Sequence, residues 1–124
     1  MKDLLISKTK RTPEILFKTN GELSISGSSM AEDVAKFYKP VLEWLNEFNS
    51  FAPEKISLKI DMDYLSTAST RIALEILRTI NDLKRSDVNI IWAYEAEDSD
   101  MLEQGELFQT SIKRKFEFLE KKIM

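Results

Sequence analysis

Two hydrophobic periods alternate along the chain, and their order predicts its architecture. Ile15 and Phe17 take every second position. Asn20-Gly21 follows as a strong hairpin turn, Leu23 and Ile25 resume the alternation, and Gly27 is expected to end the second strand. Residues 28–51 then shift to helical spacing. Val34, Phe37, Val41, Leu45 and Phe48 form one apolar stripe, and Ser29 with Glu32 fits a capping box at its start. Pro40 falls inside this run and predicts a kink or break over residues 36–40. The period returns to two in ISLKIDMDY, residues 56–64, with Ile56, Leu58, Ile60, Met62 and Tyr64 on one face and Lys59, Asp61 and Asp63 on the other.

A second helix is predicted over residues 70–85. Its inner stripe is Ile72, Ala73, Ile76, Leu77, Ile80 and Leu83, and its outer row Arg71, Glu75, Arg78 and Asp82 is spaced for ion pairs. The run VNIIWAYEA, residues 88–96, reads as a strand buried on both faces. Residues 99–112 read as a third helix with Met101, Leu102, Leu107 and Phe108 as its apolar set and Gly105 as a weak point. KFEFLE, residues 115–120, is either a last strand or the start of a helix running to residue 124. Trp44 and Trp92 sit on these patterns as core residues, and the basic groups of residues 113–122 read as solvated. Strands alternating with helices imply an α/β fold. The expectation is one domain over residues 1–124, with a mixed sheet of about four or five strands, an N-terminal hairpin and about three helices.

This order places residues 61–77, DMDYLSTASTRIALEIL, at the carboxyl end of a strand leading into a helix, the edge of an α/β sheet where ligands collect. The junction carries four hydroxyls, Ser66, Thr67, Ser69 and Thr70. One of them, Ser66 or Thr67, suffices as an N-cap, and the rest are accounted for as solvated turn residues unless one is a phosphoacceptor. A phosphoryl group here would meet unpaired N–H groups at the positive end of a helix dipole, with Arg71 one turn away. It would add nearly two negative charges at one spot without unfolding the chain. The D-x-D spacing of Asp61 and Asp63 also matches the nucleophile motif of haloacid-dehalogenase phosphotransferases. That motif belongs on a first strand, however, and here the strand is central.

Composition removes most other chemistry. The 124 residues include no Cys and no His, which excludes disulfides, Cys–His metal sites and the Ser-His-Asp, Cys-His and H-E-x-x-H mechanisms. Three glycines cannot furnish a phosphate-cradling loop, and no cofactor or metal site is expected. A net charge of −3 argues against nucleic acid as a partner. No apolar run approaches the roughly 18 residues of a membrane span, and no small-residue cleavage site follows the N-terminus. The expected location is the cytoplasm.

TPEI at 12–15, GELSISGSS at 21–29, FYKPVLEWL at 37–45, YLSTAS at 64–69, DMLEQGELF at 100–108 and FEF at 116–118 together resemble, in order and spacing, the SiaC family of bacterial regulatory phosphoproteins. That family is similar to STAS domains. The resemblance implies a partner switch rather than an enzyme. A Ser/Thr kinase phosphorylates one threonine, a PP2C-type phosphatase reverses this, and the unmodified form stimulates a diguanylate cyclase, raising cyclic-di-GMP and favouring biofilm. The family's acceptor motif falls on YLSTAS and assigns the role to Thr67, with Ser66 and Ser69 as alternates and Arg71 and Ser69 as phosphate supports. Ser66 stands where Asn is usual and Ala68 where Ser is usual. The alternatives are a STAS-like anti-sigma-factor antagonist with no cyclase, and a small magnesium-dependent phosphotransferase using Asp61 and Asp63.

Overall fold

The computed structural model describes residues 1–83 and 86–122. The chain order is β1 (Leu4–Ile6), β2 (Glu14–Phe17), β3 (Glu22–Ser29), α1 (Val34–Phe48), β4 (Lys55–Leu65), α2 (Thr67–Asn81), β5 (Asp87–Glu95), α3 (Ser99–Ile112) and β6 (Glu117–Lys121). All six strands join one sheet in the order β1-β2-β3-β4-β5-β6. The β1–β2 and β2–β3 pairs are antiparallel, and the β3–β4, β4–β5 and β5–β6 pairs are parallel. The mixed α/β class and the N-terminal hairpin are therefore as expected. The strand count exceeds the expected four or five because β1 has only three residues, too few to show a period, and because the ambiguous C-terminal run settles as β6. Residues 84–85 of the predicted second helix and residues 123–124 lie outside the described residues.

Right-handed crossovers that all step the same way along a sheet place their helices on one face. α1 packs on α2 and α2 on α3, as that geometry requires. The core lies between this helical layer and the sheet. Ile56, Leu58, Ile60 and Met62 of β4 meet Val41, Leu45 and Phe48 of α1 and Ile76, Leu77 and Ile80 of α2, all buried. The opposite face carries Ser24, Ser26, Lys59, Asp61 and Asn89, half-buried or exposed. β5 is accordingly interior in the sheet but not buried on both faces as its apolar run predicted. Among the described residues, no helix is long and apolar enough to cross a membrane.

Five local expectations change. Gly27 does not end β3. It adopts φ +116°, where the β3–β4 register shifts, and the strand continues to Ser29. Asp63 is the extra residue opposite this step, since Gly27 pairs with Met62 and Ser28 with Tyr64. Tyr64 consequently leaves the core face and is 51% exposed. Ser29 is thus a strand residue and cannot cap α1. Asp33 does so, accepting from the Lys36 N–H at 3.0 Å. Pro40 lies within an unbroken α1, on its exposed side, where water can take the carbonyl that loses its partner. The row Arg71, Glu75, Arg78 and Asp82 forms no ion pair within 4.0 Å among the described residues, in keeping with the small worth of exposed pairs.

α3 runs over the predicted 99–112. Its Met101 and Phe108 are buried, whereas Leu107 is exposed. Gly105 is a contact rather than a weakness, because a Cβ there would stand 2.6 Å from the Trp92 ring. Trp92 is fully buried and donates its indole N–H to the Met101 carbonyl at 2.9 Å. Trp44 is likewise core, with its indole N–H on the Lys2 carbonyl at 2.8 Å. Arg114, expected to be solvated, instead donates to Val88 O at 2.8 Å and to the Asn81 side chain.

Candidate functional site

The carboxyl ends of β3 and β4 lie side by side, and α2 begins at once beyond β4. Ser66 is its N-cap, with ψ 161° and its hydroxyl accepting the Ser69 N–H at 3.2 Å. The Ser66 N–H itself donates to Ser29 O at 2.9 Å, tying the start of α2 to the end of β3. The four junction hydroxyls then separate sharply. Thr70 Oγ1 donates back to Ser66 O at 3.0 Å, and Ser66 Oγ donates to Ser69 Oγ at 2.8 Å. Ser69 is wholly buried, and its hydroxyl donates to Ser29 O at 2.9 Å. Thr67, the first residue of α2, is exposed, and among the described residues its hydroxyl makes no hydrogen bond.

Ser69 therefore does not suit either role assigned to it above. A buried hydroxyl that already gives one hydrogen bond and receives two is neither an accessible acceptor nor a free phosphate ligand. It belongs instead to a polar knot that sequence reasoning missed. Ser29 Oγ donates to Ser69 Oγ at 2.7 Å and lies 2.6 Å from the Tyr38 hydroxyl of α1. Ser29 has one proton and gives it to Ser69, so Tyr38 is the donor to Ser29. Burial raises the Tyr38 pKa, so the phenol stays protonated and able to donate. The signal for this knot was thin, since it joins residues 40 positions apart.

Thr67, Ala68, Arg71 and Ile72 of α2 face Glu32, Asp33, Val34 and Ala35 across an open groove of about 740 Å³. Two helix N-termini, capped by Asp33 and Ser66, open onto it. The first N–H groups of α2 lack intrahelical partners and favour an anion. Arg71 is exposed on the same groove as Thr67, and the Glu32 and Asp33 carboxylates stand opposite.

The carboxylate pair resolves differently. Asp61 bonds the Lys121 ammonium of β6, and Asp63 is exposed beside it. Among the described residues, no group of three or more His, Cys, Asp or Glu is arranged to hold a metal ion. Burial pulls the Lys121 pKa down, but the Asp61 hydrogen bond and the charges of Asp61, Asp63 and Glu95 outweigh it, and the value is raised. A raised amine pKa stabilises the fold at pH values below the unfolded value, and the gain is lost as pH climbs through the folded value. Lys121→Met is expected to cost about 1 kcal/mol at pH 7. In urea titrations this difference should vanish above the raised Lys121 pKa, and a pH-independent difference would refute it.

The comparisons with known proteins agree with this fold. A protein of Pseudomonas aeruginosa strain UCBPP-PA14 is 27% identical over 112 residues, spanning 88% of this chain and 89% of its own. The solved structure of SiaC of Pseudomonas aeruginosa matches with a TM-score of 0.82 and 25% identity, covering 99% of this chain and all of the other. SiaC in the crystal structure of the Pseudomonas aeruginosa diguanylate cyclase SiaD with its activator SiaC matches with a TM-score of 0.83 and 26% identity, over 98% of this chain and 100% of the other. The profile of the SiaC family of regulatory phosphoproteins matches residues 6–121, and the chain belongs to that family.

Proposed function

We propose that this protein is a non-enzymatic regulatory phosphoprotein of the cytoplasm whose unmodified form binds and stimulates a diguanylate cyclase. A Ser/Thr kinase phosphorylates Thr67 and breaks that contact, and a PP2C-type phosphatase restores it. The carrying observation is the state of the junction hydroxyls. Thr67 is the one that is exposed and makes no hydrogen bond among the described residues, at the N-terminus of α2 and within reach of solvent-borne enzymes. The relation to SiaC, an activator that forms a complex with the cyclase SiaD, supports a cyclase as the partner. Asp61 is engaged by Lys121, and this disfavours the phosphotransferase alternative.

A phosphoryl group on Thr67 would gain the helix N–H groups and Arg71 on one side and meet Glu32 and Asp33 on the other. The fold would survive, and the groove would change from a mixed to a strongly anionic surface. Phosphopeptide mapping of the protein from its native cells is the direct test. The expected result is phosphate on Thr67 and co-purification of a diguanylate cyclase with the unmodified form alone. Phosphate found only outside residues 66–70 would sink the assignment.

A further inference from the structure

Ser66 lies next to Thr67 and is only half-buried, so exposure alone does not explain why a kinase should choose between them. Their hydroxyl protons differ. The Ser66 proton is committed to Ser69 Oγ at 2.8 Å, whereas the Thr67 hydroxyl has no partner among the described residues. Ser69 can act as that acceptor because it is itself immobilised. It is wholly buried and sends its own proton to the backbone carbonyl of Ser29 at 2.9 Å. We infer that Ser69 is a specificity-determining residue: by holding the Ser66 hydroxyl proton it leaves Thr67 as the sole free acceptor in a junction that carries four hydroxyls.

The chemistry follows from phosphoryl transfer. The acceptor oxygen attacks the γ-phosphorus of the kinase's nucleotide as its proton passes to the kinase's base and the nucleoside diphosphate leaves. A hydroxyl whose proton is already donated elsewhere must first break that bond and turn its lone pair outward, at the cost of one hydrogen bond. Thr67 carries no such cost. The inference rests on Thr67 being the acceptor and adds what makes it so.

Two variants of the same buried knot separate selectivity from stability. Ser69→Ala deletes the acceptor of the Ser66 proton yet keeps the backbone N–H that Ser66 caps. Ser29→Ala leaves both the Ser66–Ser69 bond and the Ser69 bond to the residue 29 carbonyl, but orphans the buried Tyr38 hydroxyl. Each full-length variant would replace the chromosomal copy, and the tryptic peptide between Lys59 and Arg71 would be site-localised by fragmentation mass spectrometry. Ser69→Ala is expected to lower the ratio of Thr67 to Ser66 phosphate by about ten-fold, the weight of one hydrogen bond. Ser29→Ala should lower the melting temperature and leave the ratio unchanged. An unchanged ratio in Ser69→Ala, or an equal fall in Ser29→Ala, overturns the role of Ser69. Absence of phosphate from Thr67 in the wild-type chain overturns the acceptor assignment itself, and the inference with it.

Discussion

Thr67→Asp is expected to weaken binding of the cyclase by about a hundred-fold or more, whereas Thr67→Ala binds as the unmodified chain does. The asymmetry follows from the site. Thr67 contributes nothing to the fold that Ala would lose, because it is exposed and its hydroxyl bonds no described residue. A carboxylate in its place is favourable to α2 by itself, since the first turn carries no acidic residue and its N-terminus is positive. Any loss of binding must then arise at the partner surface, where a new charge joins Glu32 and Asp33 in the same groove. Burying an unmatched charge of that sign in an interface costs several kcal/mol. The phosphorylated protein, with nearly twice the charge, should bind still more weakly. Calorimetric titration of the recovered cyclase with each variant measures this, and melting curves should stay within a degree or two of wild type. Equal affinity of Thr67→Asp and Thr67→Ala would end the charge-switch mechanism.

Gly105→Ala is expected to destabilise the protein by about 2–3 kcal/mol, lowering Tm by roughly 10 °C. In an ordinary helix this substitution stabilises by about 1 kcal/mol, so the sign of the effect is diagnostic. The reversal comes from Trp92. The added methyl would stand 2.6 Å from its ring, far inside van der Waals contact. The indole cannot easily yield, because it is fully buried, bonded to the Met101 carbonyl, and packed edge-on against Phe108 and in a stacked arrangement with Phe116. α3 would have to lift from β5. Urea titration gives the number, and combining Gly105→Ala with Trp92→Leu should recover part of the loss by making room. A rise in Tm for Gly105→Ala alone would show that α3 sits farther from the sheet.

What the sequence disclosed follows from how locally each feature is encoded. The alternation Ile56, Leu58, Ile60, Met62 is a property of one strand and was legible, as was the span of α3 from its apolar spacing. Tyr64 broke the rule because a register step with a neighbouring strand redirected it, and nothing in β4 itself announces that step. Gly27 was readable as a special backbone position but not as a bulge rather than an end. The cap of α1 was misplaced for the same reason, since Ser29 looks like a cap until the strand is known to include it. At the site, the surplus of hydroxyls and their place at a helix start were visible in the chain. Their division into one free and three engaged was not, because it depends on Ser29 and Tyr38 arriving from β3 and α1.

The strand order also bears on how the molecule forms. Each strand pairs with the strand made just before it, and each of the three parallel pairs closes over the helix between its two strands. The acceptor seat draws on β3, α1, β4 and α2 alone, a continuous run from Glu22 to Asn81. On the ribosome, all the groups that cradle Thr67 are therefore synthesised before the first residue of β5, and the remaining strands add to one edge of a sheet that already contains the switch.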